Sequence, residues 1–202
     1  MFLKRISVTE RIANRVLRVL QWVRISLYEA LSTGHSKGDV RKRQPVLILG
    51  NGIVRFEKGV TLGYFPSPFF LSGCAHLEAR NEGSSIAIGG NTQVNNNFVA
   101  IAEHTAITIG KRCLIGTNVE IVDSDFHGIR VSDRGTSTRE NAKPVVIGDD
   151  VFIGSNVKIM KGAVIGNGSV VANGSIVVGA IPIPPGVVAG GAPAKVLRTI
   201  GG

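Results

Sequence analysis

In the C-terminal part of the chain, aliphatic positions recur every six residues. Ile147, Ile153, Ile159, Ile165, Val171, Val177 and Ile183 form an unbroken series of seven. Four residues after each of the first six stands a small or aliphatic residue: Val151, Val157, Ala163, Ser169, Ser175 and Ile181. Glycines such as Gly148, Gly154, Gly162, Gly168 and Gly174 punctuate the series. A helix repeats at 3.6 residues and a strand alternates at two, so neither alone makes this period. A chain that runs one short strand, turns, and runs the next does make it. Three such segments close one coil of a triangular prism, and each aliphatic residue stacks on the one three repeats later. The pattern predicts a parallel β-helix built from hexapeptides.

The same phase holds at Ile109, Ile115 and Ile121, with Cys113 and Val119 at the small position. It continues upstream through Ile88 and Val94, and through Ile48, Val54 and Val60. Between Gly63 and Ser85 the register is lost, and Phe65-Pro66-Ser67-Pro68-Phe69-Phe70 predicts an irregular coil. The widest break lies between Ile121 and Ile147 and is polar, which predicts a loop over 122–146 ejected from one corner. Long loops in a compact fold are functional or disordered. This one carries His127 near its start.

Residues 1–45 have a different rhythm. Ile12, Val16, Val19, Leu20, Val23 and Leu27 recur at steps of three and four, which marks one face of a helix. Ser7 and Thr9 are candidate N-caps, and Glu10 stands where a capping box from Ser7 requires it. Arg11, Arg15 and Arg18 lie beside the apolar face and interrupt any signal-peptide core. Two placements fit residues 7–31: packed on the prism or a sister subunit, or lying as a basic amphipathic helix on an anionic membrane surface. Gly34 to Gln44 reads as a basic linker, so the prism domain is expected over 46–202.

Net charge is +9, which raises the question of nucleic acid. Ten of the 23 Lys and Arg fall in residues 1–45, against three of the 14 acids. The prism therefore carries no basic stripe interleaved with aromatics, and no nucleic-acid partner is expected. Nor does any apolar run approach the ~20 residues needed to span a bilayer. Cys74 and Cys113 are far apart and form neither a disulfide framework nor a metal pair. A cytoplasmic protein is expected, with the helix either on the prism or on the inner face of the cytoplasmic membrane.

The repeats, the stretch Asp123-Ser124-Asp125-Phe126-His127 and the tail Gly190-Gly191-Ala192-Pro193-Ala194-Lys195-Val196 resemble hexapeptide-repeat acyltransferases. The resemblance is to the branch of galactoside, maltose and polysaccharide O-acetyltransferases, and it covers roughly Ile86 to Ile200. It implies a left-handed parallel β-helix, a homotrimer, and acetyl-CoA as cosubstrate in a groove between two prisms. It implies transfer of acetyl to a sugar hydroxyl, in surface polysaccharide biosynthesis, with no metal. Histidine suits the proton transfer this needs, and the family motif makes His127 the general base.

The resemblance also assigns the other site residues. Asp123 and Asp125 flank His127, where either would orient the imidazole, bind the acceptor or be merely solvated. Asn96 aligns with an acceptor-binding asparagine, although Asn95-Asn96-Asn97 equally suits a corner or an inward ladder. Ser155 would offer its backbone N–H to the thioester carbonyl, and Asn173 would meet the pantetheine through main chain. Lys195 and Arg198 would meet the CoA phosphates. Phe152 stands where relatives carry Trp and supplies an apolar wall. The alternatives are N-acylation of an amino sugar and a non-catalytic binding β-helix. A zinc site is disfavoured, because His76, His104 and His127 lack the spacing that such a prism needs.

Overall fold

A computed structural model describes residues 7–201. Short parallel strands stack into three walls. The first wall layers the start of Ile53–Leu62 with Ser85–Ile88, Ala106–Ile109, Val145–Ile147 and Val164–Ile165. The second layers the end of Ile53–Leu62 with Gln93–Val94, Leu114–Ile115, Phe152–Ile153, Val170–Val171 and Val187–Gly191. The third holds Val46–Leu49, Ala75–Ala79, Val99–Ala102, Glu120–Val122, Lys158–Ile159 and Ile176–Val177. The chain visits the walls in rotation, which is the parallel β-helix that the six-residue period predicts.

The register follows the aliphatic series. Ile147 pairs with Ile165, Ile153 with Val171 and Ile159 with Val177. All seven residues of the series are buried in one continuous core. Each fully buried aliphatic side chain of this size contributes about 1.5–3 kcal/mol. Across the polar break, Ile109 pairs with Ile147 and Ile121 with Ile159. The stacking therefore resumes in phase on both sides of the long connection. Of the small positions, Ile181 departs from expectation and is only half-buried. Its N–H closes a tight turn on Val178 O, which rotates the side chain off the core.

The basic stretch read as a linker is instead a strand. His35–Lys42 pairs in parallel with Ile53–Leu62, from His35 beside Ile53 to Lys42 beside Leu62. The pairing satisfies the main-chain groups of an otherwise open edge. Its side chains are mostly exposed and only Val40 packs on the core, so the hydrophobic pattern of a strand is missing. The prism thus begins at His35. At its far end Ala194–Thr199 folds back antiparallel on Val187–Gly191.

The helix spans Val8–Leu31, with Ser7 as N-cap and both bonds of the Ser7–Glu10 capping box formed. It lies against the edge strand Val46–Leu49 and docks through the side that carries Gln21 and Arg24, where Leu17, Ile25 and Tyr28 are half-buried. Gln21, 6% exposed, donates to Arg43 O and Phe70 O. Arg24 donates to Phe70 O and Gly73 O. The apolar face of Ile12, Val16, Val19, Leu20, Val23 and Leu27 points away from the prism, each residue at least half exposed.

Candidate active site

The long connection leaves the third wall after Glu120–Val122 and joins the first wall at Val145–Ile147. Lys143 N–H donates to Asp123 O at 2.7 Å and closes its base. Asp123 itself is fully buried. Its carboxylate accepts from the N–H groups of Glu103, His104 and Thr105 and from the Thr105 hydroxyl. With its oxygens so engaged inside the fold, Asp123 neither orients His127 nor reaches an acceptor. It anchors the loop to the preceding coil.

Three further side chains hold the loop down. Lys161 pairs with the Asp125 carboxylate and donates to Asn141 O at 2.9 Å, stapling its outgoing and returning limbs together. Glu103 accepts from the Ser137 hydroxyl at 2.7 Å. Arg80 bridges Glu78 and Glu103 and places its guanidinium carbon 4.8 Å from the centre of the Phe126 ring. Burial pushes the Glu103 carboxyl up, but hydrogen bonds from Ser124, Ser137 and Arg80 outweigh it and hold the group below its usual value. The Arg80 hydrogen bond does the same for Glu78, against burial and with help from His76.

His127 is exposed at the tip of this framework. Its Nδ1 lies 2.8 Å from the carbonyl oxygen of Arg134. A carbonyl oxygen only accepts, so Nδ1 carries the proton and the Nε2 lone pair is left for a substrate. The turn that supplies Arg134 closes over Gly128, whose N–H donates to Asp133 O and Thr136 O. A Cβ at Gly128 would come within 2.4 Å of the Asp133 side chain, so the residue after His127 must be glycine for the turn to close. The orienting group is therefore a main-chain carbonyl rather than either aspartate. Asp125 does line the shallow depression of about 510 Å³ beside His127, together with Ile129 and Arg134.

The remaining sequence-derived positions fall elsewhere. Asn96 is fully buried; its Oδ1 accepts from Tyr64 N–H and its Nδ2 donates to Tyr64 O and Pro68 O. It pins the irregular excursion after Gly63 and is not available to an acceptor. Ser155 N–H is spent on Asn173 Oδ1 at 2.9 Å, and Ser155 Oγ accepts from Thr117. The N–H assigned to the thioester is thus occupied by the corner of the next coil, and Asn173 braces that corner. Lys195 and Arg198 are exposed on the final strand, as phosphate ligands would need to be.

A second concavity, of about 450 Å³, runs along the second wall and is lined in part by Arg41, Arg43, Tyr64, Gln93, Asn95 and Phe152. The two arginines, read as linker, provide its cationic end, and Phe152 is an apolar wall as expected. His127 opens from the corner between the third and first walls, so one chain does not bring the groove and the imidazole together.

Residues 144–179 match the family model of the bacterial transferase hexapeptide with six repeats, and residues 106–134 match that of the hexapeptide repeat of succinyl-transferase. No curated protein sequence matches the chain. Among solved structures, a hexapeptide-repeat acetyltransferase from Vibrio cholerae O1 biovar eltor, complexed with acetyl coenzyme A, is 27% identical. That match covers 100% of this chain and 94% of the other, with a TM-score of 0.55. The polySia specific acetyltransferase NeuO is 26% identical over 82% of this chain and 67% of its own, with a TM-score of 0.52. A hexapeptide transferase family protein from Anaplasma phagocytophilum, 20% identical with a TM-score of 0.55, shares the fold over 83% of this chain and 79% of its own. The shared fold implies the left-handed winding of hexapeptide prisms, and the family models with the Vibrio cholerae match support an acyltransferase.

Proposed function

We propose that this hexapeptide-repeat acyltransferase moves the acetyl group of acetyl-CoA to a hydroxyl of a saccharide, with His127 as general base. The observation that carries the reading is the 2.8 Å bond from His127 Nδ1 to Arg134 O. It leaves Nε2 as the one ring nitrogen able to take a proton and turns it to an open depression.

The acceptor hydroxyl gives its proton to Nε2 as its oxygen attacks the thioester carbonyl. The new C–O bond forms, the C–S bond breaks, and the departing CoA sulfur takes the proton back from the imidazolium. A positioned base of this kind is worth about 10²–10⁴-fold. The complex of the Vibrio cholerae relative with acetyl-CoA supports the donor. The second-wall groove supports the acceptor class: the amides of Gln93 and Asn95 suit hydroxyl groups, and Arg41 and Arg43 suit an anionic substituent. Because groove and imidazole open on different sides of the prism, the reading includes a cyclic assembly, a trimer. There the loop of one copy meets the groove of the next, with Lys195 and Arg198 toward the CoA phosphates. The likeness to the polySia specific acetyltransferase NeuO supports a role in surface polysaccharide biosynthesis.

The test is thiol release from acetyl-CoA by the purified protein across neutral, acidic and amino saccharides, followed by mass spectrometry of the product. An alkali-labile acetyl ester on a saccharide is the expected product. An alkali-stable amide on an amino sugar would move the reading to N-acylation, and the absence of release with any saccharide would overturn it.

A further inference from the structure

The helix is amphipathic, yet it docks by the wrong side for a helix that merely completes a core. Gln21 and Arg24 fasten it to main-chain carbonyls of the prism. Tyr28 lies on the same side, and its carbonyl accepts from Ser32, whose hydroxyl in turn accepts from Ile48 N–H. The apolar stripe from Ile12 to Leu27 lies on a different side, and among the described residues each of its side chains is left at least half exposed.

Charge decides what fits that stripe. Arg11, Arg15 and Arg18 follow one border at helical spacing, all exposed and all without a carboxylate partner among the described residues. Trp22, 67% exposed, sits on the same border. The helix has two acids, and both are engaged: Glu10 closes the capping box and Glu29 pairs with Lys42 at 2.7 Å. A second copy of the helix would therefore bring its own row of arginines and no counter-charge. An anionic lipid headgroup brings the counter-charge and an apolar phase for the stripe. The helix is not long and apolar enough to cross a membrane, and a basic face, an apolar face and a bordering Trp are what an interfacial helix needs.

We infer that this face seats the protein on an anionic lipid surface, with the apolar side chains below the headgroups and the arginines among them. The prism then stands off the surface, held through the Gln21 and Arg24 contacts.

The full chain is sedimented with vesicles of phosphatidylcholine alone and with one-third phosphatidylglycerol. Binding to the anionic vesicles, weaker in high salt, is the expected result. Arg11→Gln, Arg15→Gln and Arg18→Gln together lower partitioning about 100-fold, at about fivefold for each arginine near the surface. Val19→Asp with Val23→Asp abolishes it. Both variants keep the wild-type mass by light scattering and the wild-type rate on a soluble saccharide. Wild-type protein that stays in the supernatant would overturn the inference, as would binding indifferent to the arginines. A lower mass for the Val19→Asp, Val23→Asp variant would assign the face to a second copy instead.

Discussion

The guanidinium of Arg80 covers the ring of Phe126 at 4.8 Å while its nitrogens reach Glu78 and Glu103. One half-buried cation thus joins the third wall of the prism to the residue immediately before His127. Arg80→Ala releases that clamp without touching the imidazole. The expected effect is a fall in kcat of about 10- to 100-fold, the scale of a small misplacement of a catalytic group. KM for acetyl-CoA stays close to wild type. Arg80→Lys keeps the cation over the ring and restores part of kcat. Equal losses in the Ala and Lys variants would show that the ring contact does not position the loop.

Acid should loosen the same anchor. The carboxyls of Glu78 and Glu103 are held below their ordinary 4.5 in the folded protein. On unfolding they return to that value, so the unfolded chain takes up protons first as pH falls. Their contribution is present above pH ~4.5 and is lost below it. Thermal midpoints measured from pH 7 downward should drop most steeply in that lower range. Glu103→Gln lowers the midpoint at pH 7 and flattens the drop, and an unchanged slope in that variant would remove Glu103 from the account.

Asn96 is a test of structure against acceptor binding. Removing its amide leaves Tyr64 N–H and the carbonyls of Tyr64 and Pro68 without partners inside the fold. Asn96→Ala is expected to cost about 3 kcal/mol of stability, read by urea denaturation. A stable Asn96→Ala protein with a raised acceptor KM would restore the acceptor role.

Arg41 and Arg43 should mark the acceptor rather than the donor. Replacing both with Gln raises KM for an acidic saccharide more than for a neutral one, and the difference shrinks in high salt. If KM for acetyl-CoA rises instead, the groove belongs to the CoA phosphates.

What the sequence revealed, and what it hid, follows from the range of the interactions. The core series from Ile147 to Ile183 is a local repeat, so both the architecture and the stacking register were legible from it. His35–Lys42 was missed because an outermost strand is held by main-chain bonds to Ile53–Leu62, which leave no mark on side-chain pattern. Arg80, Glu103 and Lys161 act on the loop across large sequence distances, and nothing near them in the chain signals that contact. For Asp123 and Asn96 the sequence left acceptor contact and a structural role both open, because motif position does not reveal burial. The capping box of Ser7 and Glu10 was legible, but which side of the helix would dock was not, since Gln21 and Arg24 bind carbonyls of a distant excursion.

The proposed function rests on His127, held by Arg134 O, as the base. The most direct measurement is single-turnover acetyl transfer by His127→Ala, beside calorimetric binding of acetyl-CoA to the same variant. Transfer is expected to slow by about 10²–10⁴-fold with donor affinity preserved, because the imidazole acts on the acceptor hydroxyl and not on the cofactor. Transfer at more than about a tenth of the wild-type rate would exceed what loss of a general base allows and would contradict that role.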